Sequence, residues 1–431
     1  MSQTVKTTRY AMMAALLVMT ALATPANAEQ TTITFFTGND AATVAISEGL
    51  AKDFEAANPD VKVEVEVGPG GTERDNLVRS RLATQSMNDV FLYNSGSQYQ
   101  ALNPTQTLVD LSNEPWQADI DPAFKQVVTA SDGSVRGAPI QTAMGGGFFY
   151  NIPLYKELGL SVPKTWNEFM ANNAKIKAAG KVPVVQTYRD TWTSQMMVLA
   201  DNFNVLANTP DFASQYTAGK AKFASTASAL RSFEKLAELH AAGYLNDDFG
   251  AATLEDGLNM VATGEGAHYP MLSFAFGSIG QTDPDHLNDV GFFAIPGDDA
   301  SKNGLTIWLP NGIYVSAANP HVDIAKRFVA FVASVKGCES QSRAAAVTGP
   351  YLVKGCVLPA DVPRGVADML PYFNDQSKRA PALEFLSPVK GPSLEQITVE
   401  VGSGTRAAAD GAALYDEDVR KQAQQLGLPG W

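Results

Sequence analysis

The chain has 431 residues, 45% of them hydrophobic, and a formal net charge of −13 at pH 7. This length exceeds what one hydrophobic core usually organises, so two domains are expected. The acidic balance argues against nucleic acid or an anionic membrane as a partner, and it does not bear on a neutral ligand.

The N-terminus has the form of a secretory signal peptide. Lys6 and Arg9 precede an apolar run over 11–23, and Ala26-Asn27-Ala28 matches the A-x-A form of a signal-peptidase site. The apolar run is shorter than the roughly 20 residues that span a bilayer, and no stop-transfer pattern follows it. We therefore predict a signal peptide at 1–28, cleavage after Ala28 and export to the periplasm, in preference to a retained membrane helix.

The first third of the chain alternates short apolar strands with helices. Strands are predicted at 33–36 and 61–67, with an intervening helix over 46–57, because apolar residues recur there at spacings typical of each element. The pattern repeats with a helix around 75–85 and a strand at 90–93. Such strand–helix–strand units imply parallel strands with right-handed crossovers, so an open α/β sheet is expected.

The middle of the chain is predicted to be rich in helices. The glycine run at 145–147 offers backbone freedom where the chain could change domains. Thr165 and Glu168 have the spacing of a capping box, and further helices are indicated at 193–203 and 227–242.

A later helix begins at Asn319-Pro320. One apolar face, formed by Ile324, Phe328, Phe331 and Val335, is expected to pack on a core, and the helix is expected to run directly into Cys338.

The chain has two cysteines, Cys338 and Cys356. An even pair in an exported protein favours one disulfide over two free thiols. The four histidines are scattered without the spacing of a zinc site, and Asp283, Asp285 and Asp289 lack the glycine and glutamate of a calcium-binding loop. No metal and no cofactor are predicted.

No catalytic motif of adequate specificity is present. The sequence lacks a G-x-S-x-G elbow, an H-E-x-x-H pair, a P-loop and a G-x-G-x-x-G turn after a strand. A glycosidase could use any two distant acids, so a periplasmic glycan hydrolase stays the alternative to a non-enzymatic protein.

Several aromatic residues stand beside polar ones at predicted element ends. Trp192 follows Arg189, Phe274 follows Ser273, and Trp308 and Tyr351 lie in similar settings. A sugar offers one apolar C–H face and a rim of hydroxyls, which flat rings and polar side chains can match. Each ring could instead belong to a core, as expected for Trp166.

These segments resemble a known family. Runs at 147–151, 154–159 and 163–169 resemble a recognisable stretch of the extracellular solute-binding proteins of ABC importers, in the carbohydrate-binding group of maltose- and raffinose-type receptors. The run at 264–268 resembles the stretch that leads to Gly-Ser-Trp, and Phe274 takes the place of that stacking Trp. The cysteine pair departs from the family pattern after the late helix.

The resemblance implies an α/β, two-lobed periplasmic-binding-protein fold. Each lobe would be an open, mostly parallel sheet flanked by helices, with several hinge crossings. The first lobe would comprise 29–140 plus 305–335, and the second 141–304 plus 336–431.

The resemblance also implies a function. The protein would capture a sugar, expected to be an oligosaccharide, and deliver it to a membrane permease, acting as a monomer. A receptor for a polyamine or iron is a further alternative, although no tyrosine cluster with a paired histidine supports iron.

Ligands of open α/β sheets bind beyond the C-terminal ends of the strands, which predicts the contact residues. On the first lobe these are Asn39, Asp40, Glu73, Arg74, Asn94 and Ser95. Opposite them we expect Arg189, Trp192, Phe274, Trp308, Asn311 and Tyr351.

Overall fold

A computed structural model describes residues 30–431 of the chain, so the predicted signal peptide lies outside the described residues. The strands are β1 (Thr31–Thr37), β2 (Val61–Val67), β3 (Val90–Tyr93), β4 (Gly137–Ile140), β5 (Met144–Asn151), β6 (Val182–Val184), β7 (Gly266–Leu272), β8 (Val290–Ala294), β9 (Leu305–Trp308), β10 (Asn311–Val315) and β11 (Arg379–Pro381).

The helices follow in chain order. They are α1 (Ala41–Ala57), α2 (Gly71–Ala83), α3 (Ser97–Gln100), α4 (Pro104–Thr107), α5 (Pro122–Val127), α6 (Ile152–Glu157), α7 (Trp166–Ala178), α8 (Met196–Ala200), α9 (Asn202–Asn208), α10 (Phe212–Thr217), α11 (Ala227–Ala241), α12 (Leu254–Thr263), α13 (Ala275–Thr282), α14 (Val322–Val332), α15 (Val335–Ala344), α16 (Arg364–Asn374), α17 (Leu383–Leu386), α18 (Leu394–Gly402) and α19 (Ala408–Gln425). Short 3₁₀ turns occur at Pro115–Asp119, Thr191–Gln195, Pro284–Asp289, Ala300–Lys302 and Gln376–Lys378. Within 30–431, no helix is both long enough and apolar enough to cross a bilayer.

The first sheet has the strand order β2-β1-β3-β10-β4. Strand β1 pairs in parallel with β2 and β3, as the strand–helix–strand pattern predicts. Strand β10 returns from late in the chain and runs antiparallel to β3 and β4. The alternation in β2 buries Val61 and Val63 and exposes Lys62 and Glu64, which directs one face of the sheet to the core.

The second sheet has the order β11-β9-β5-β7-β6, with β8 also paired to β5. Strand β5 runs antiparallel to β7, β8 and β9, while β6 and β11 lie parallel to their neighbours. The glycine run at 145–147 lies inside β5 and does not form the crossing. A Cβ on Gly146 would lie 2.3 Å from the Trp308 ring, so glycine serves close packing there.

Two helix predictions need correction. The helix expected at 193–203 is a 3₁₀ turn followed by α8 and α9, and the break falls at Asp201, whose buried carboxylate pairs with Lys235. The late helix ends at Val332, and Ser334 caps a new helix. Val335 therefore begins α15 and is 43% exposed instead of continuing the apolar face.

Each sheet has its own hydrophobic core, which confirms the two-lobed α/β architecture. The prediction of mostly parallel sheets needs correction, because β10 and β5 run antiparallel to the strands beside them and make both sheets mixed. The lobe boundaries stay a prediction. The second segment of the first lobe is predicted at 305–335. The strand pairing favours a start at 309, because Leu305–Trp308 pairs in the second sheet. The core packing favours an end near residue 353, because Cys338, Ala345 and Val353 pack in the first core.

Cys338 and Cys356 form a disulfide with a Cα–Cα distance of 6.0 Å, which confirms the predicted pairing. The bond joins α15 to the loop that follows Val353, at the end of the first core.

Candidate ligand-binding cleft

A cleft between the two lobes contains about 1210 Å³ of empty space, including the solvent at its mouth. Its first-lobe wall comes from the ends of β1 and β3 and the starts of α1 and α2. Its second-lobe wall comes from the turn at Thr191–Gln195, the end of β9 and helices α12, α17 and α18.

A chain of hydrogen bonds orders the first-lobe wall. Asn94 Nδ2 donates to Gln98 Oε1 at 2.7 Å, and Gln98 Nε2 donates to Asp75 Oδ2 at 2.9 Å. Tyr93 OH donates to Asp75 Oδ1 at 2.8 Å. Burial, followed by the Asp75 carboxylate, raises the pKa of Tyr93 well above its ordinary value, so Tyr93 stays a neutral donor that holds this carboxylate in place.

Arg74 brings a positive charge to this wall. Its guanidinium lies 5.8 Å from the centre of the Tyr93 ring, and its Nε is buried without a hydrogen-bond partner among residues 30–431. A buried N–H usually finds a partner, so this Nε is an unsatisfied donor on a residue that lines the cleft.

Amide side chains line the crossing between the lobes. Asn311 Nδ2 donates to Gln141 Oε1 at 2.9 Å, and Gln141 Nε2 donates to Thr43 Oγ1 at 2.7 Å. Gln141 has a φ of 71°, in the left-handed region that non-glycine residues rarely adopt. Its backbone N–H donates to Gln341 Oε1 at 2.7 Å, which helps to hold this strained residue.

Aromatic rings occupy the second-lobe wall. Trp192 and Phe274 are both partly buried, and their ring centres lie 6.1 Å apart with planes tilted by 38°. Trp308 lies at the end of β9 and is only 4% exposed, so little of its ring is reachable. Its Nε1 donates to Glu384 Oε1 at 2.6 Å, and Glu384 Oε2 lies 3.4 Å from Lys390 Nζ.

The structure brings together nine of the twelve predicted contact residues. Those that line the cleft are Asn39, Asp40, Arg74, Asn94, Ser95, Trp192, Phe274, Trp308 and Asn311. Their contact with a ligand stays a prediction. Two of them already serve the fold, because Asp40 caps α1 and the Ser95 hydroxyl donates to the Pro310 carbonyl at 2.8 Å.

The other three lie outside the cleft lining. Glu73 is exposed on the first turn of α2, because successive helical residues point about 100° apart and Arg74 takes the cleft side. Arg189 is also exposed. The Tyr351 hydroxyl lies 2.8 Å from Ser342 Oγ, and its side chain borders a separate small cavity near the crossing.

Sequence reasoning missed several polar residues of the cleft: Gln98, Gln141, Gln195, Glu384, Lys390 and Glu395. Gln195 is 5% exposed, and its Oε1 has no partner among the described residues. Gln195 could have been predicted as a cleft residue from Trp192, because residues three apart lie on the same side of a 3₁₀ turn. The last three had no local signal, since they reach the cleft from distant segments.

No group of three or more His, Cys, Asp or Glu side chains that could hold a metal ion occurs in the described part of the chain.

Comparisons with known proteins agree with this architecture. The family model of the bacterial extracellular solute-binding proteins matches residues 39–337. The multiple sugar-binding protein of Streptococcus mutans is 24% identical over 300 residues, which cover 67% of this chain and 68% of the relative.

Two solved structures share the fold. A chitin oligosaccharide binding protein aligns with a TM-score of 0.75 at 21% identity, over 89% of this chain and 96% of its own. RafE in complex with raffinose aligns with a TM-score of 0.73 at 20% identity, over 92% of this chain and 100% of its own. The family model covers well over half of the chain, and the chain belongs to the bacterial extracellular solute-binding proteins.

Proposed function

We propose that this protein is the sugar receptor of an ABC importer. It captures an oligosaccharide outside the cytoplasmic membrane and delivers it, chemically unchanged, to the membrane permease. The observation that carries this proposal is the composition of the cleft, where the Trp192 and Phe274 rings stand next to amide, carboxylate and guanidinium groups from both lobes.

These groups match the surface of a sugar. A flat ring covers the apolar C–H face, and amides, carboxylates and Arg74 pair with the hydroxyl rim. A ligand that contacts Asn39 or Arg74 and also Trp192 touches both lobes only when they are closed. Binding then shifts the population toward the closed form, which the permease engages.

The relatives support an oligosaccharide as ligand. The relative from Streptococcus mutans is a multiple sugar-binding protein. The two aligned structures are a chitin oligosaccharide binding protein and RafE in complex with raffinose. We extend the proposal to a monomer that works in the periplasm after cleavage behind Ala28.

Thermal-shift screening tests the proposal. A panel of mono-, di- and oligosaccharides that includes raffinose and chitin oligosaccharides should contain a ligand that raises the melting temperature, because ligand at 100 times its Kd adds about 2.7 kcal/mol. A panel without effect, combined with a shift by a polyamine, would contradict a sugar receptor.

Chromatography of the recovered sugar tests the hydrolase alternative. A receptor returns the sugar intact after prolonged incubation, whereas cleavage products that increase with protein concentration would identify an enzyme.

A further inference from the structure

Glu395 on α18 contacts both lobes through one carboxylate oxygen. Its Oε2 accepts a hydrogen bond from Thr191 of the second lobe at 2.9 Å and another from Thr72 of the first lobe at 2.9 Å. Thr72 and Glu395 lie 323 positions apart in the chain, and their bond joins the first lobe to Glu395, which lines the cleft.

The burial of Glu395 makes these donors important. The residue is 9% exposed, and Lys390, a cation of the same cleft, lies against Glu384 instead. A buried carboxylate without a paired cation depends on hydrogen-bond donors. Thr72 and Thr191 supply two, and Gln195 Nε2 lies 3.5 Å from the second oxygen, Oε1. Thr72 alone among these donors belongs to the opposite lobe.

The start of α2 is shaped to approach Glu395 closely. Helix α2 begins at Gly71, and Gly70 before it offers no side-chain cap. A Cβ on Gly71 would lie 3.3 Å from Trp192 Cδ1 and 3.4 Å from Glu395 Oε2. Gly71 also has a φ of +56°, which glycine adopts without strain. A carboxylate is favoured near the N-terminus of a helix, so charge and shape both suit this contact.

We propose that Glu395 is a positioning residue that holds the two lobes in the closed arrangement through Thr72 in the absence of ligand. This goes beyond the proposed sugar receptor, because it concerns the ligand-free protein. A receptor that is already partly closed binds more tightly, since the apparent Kd is the intrinsic Kd divided by the fraction of competent molecules.

Two matched variants separate the bond across the cleft from the bond within one lobe. Thr72→Val replaces the bridging hydroxyl with a methyl group of similar size. Thr191→Val removes a bond of the same length to the same oxygen, but this bond lies inside the second lobe. Thr72→Ser keeps the hydroxyl and should restore the bridge.

Small-angle X-ray scattering of the ligand-free proteins tests the proposal, and thermal melts check that each variant folds. We expect Thr72→Val to increase the radius of gyration, because losing a hydrogen bond to a charged group lowers the ratio of closed to open molecules about tenfold or more. Thr191→Val and Thr72→Ser should keep the wild-type radius.

Two results would overturn the proposal. One is a Thr72→Val protein with the same radius of gyration as the ligand-free wild type. The other is a Thr191→Val or Thr72→Ser protein that expands as much as Thr72→Val. Neither result requires a sugar, so a failed sugar screen and a failed bridge are distinguishable.

Discussion

Trp308 at the end of β9 donates its indole N–H to Glu384 Oε1 at 2.6 Å, and this bond ties β9 to α17. The same carboxylate lies 3.4 Å from Lys390 Nζ, and the Glu384 and Lys390 side chains are only 10% and 13% exposed. One acid therefore orients an aromatic ring and an ammonium group on the second-lobe wall.

Replacing Glu384 should destabilise the protein by an amount that depends on whether an acceptor remains. Glu384→Leu leaves the buried indole N–H unpaired, which costs about 1–3 kcal/mol of unfolding free energy. Glu384→Gln keeps a carbonyl for Trp308 and should lose less. Urea denaturation compares the two variants, and equal stabilities would show that the Trp308 bond contributes little.

Trp192→Ala should weaken sugar binding at least tenfold, about 1.4 kcal/mol, because the partly buried ring lines the cleft. Trp166→Ala is the control, since Trp166 is 1% exposed in the second core and should cost about 3–5 kcal/mol of stability without changing affinity. Calorimetric titration and thermal melts measure both effects. Unchanged affinity with a much lower melting temperature would assign Trp192 to the core.

The buried pair Lys235–Asp201 should behave as one unit. Lys235 Nζ lies 2.6 Å from Asp201 Oδ1, and both side chains are 1% exposed. Lys235→Met leaves an uncompensated buried carboxylate and should lower the unfolding free energy by about 3–5 kcal/mol. The double variant Lys235→Met with Asp201→Asn should lose less than the sum of the single losses. Denaturant unfolding measures this cycle, and additive losses would argue against coupling.

His268 should make stability depend on pH. Burial lowers its pKa to about 3 from an ordinary 6.5. Its ring lies 2.8 Å from the Pro183 carbonyl through Nδ1 and 2.5 Å from Tyr155 OH through Nε2, so the neutral ring fits with Nδ1–H as donor and Nε2 as acceptor. Between pH 3 and 6.5 the unfolded chain binds a proton at His268 that the folded chain does not. The contribution of neutral His268 to the unfolding free energy is therefore complete above pH 6.5 and is lost as the pH falls toward 3.

A non-titrating variant isolates this contribution from that of the acids. We expect wild-type unfolding free energy to fall more steeply than that of His268→Gln between pH 6.5 and 4, by at most about 1.4 kcal/mol per pH unit. Unfolding curves at several pH values measure both slopes. Parallel slopes would contradict the lowered pKa.

The disulfide should protect both cysteines from labelling. Unfolded but unreduced protein should give no reaction with a thiol reagent, because Cys338 and Cys356 are bonded. Closing a loop of this length contributes about 3 kcal/mol in the chain-entropy model, so Cys338→Ser with Cys356→Ser should melt at a lower temperature. Two labelled thiols in the wild type would contradict the pairing.

Much of the fold could be predicted because its signals are local. The valines of β2 alternate with charged residues, and α11 and α7 follow their helical spacing, with Thr165 accepting a hydrogen bond from the Glu168 N–H. The break at Asp201 could not be predicted in this way. Asp201 pairs with Lys235, which lies 34 positions later in the chain, so no local pattern indicates this contact.

The sequence by itself determined the strand–helix alternation and the polar residues that end β1 and β3, because each depends on neighbours in the chain. It also determined the cysteine pair, because the chain has two cysteines. Only the tertiary structure decided which side chains share the cleft. Glu395 and Thr72 meet across 323 positions, while Glu73 and Arg74 are adjacent and yet point to different surroundings. The physical reason is that a cleft forms where two packed lobes face each other, and the orientation of each lobe is set by its whole core.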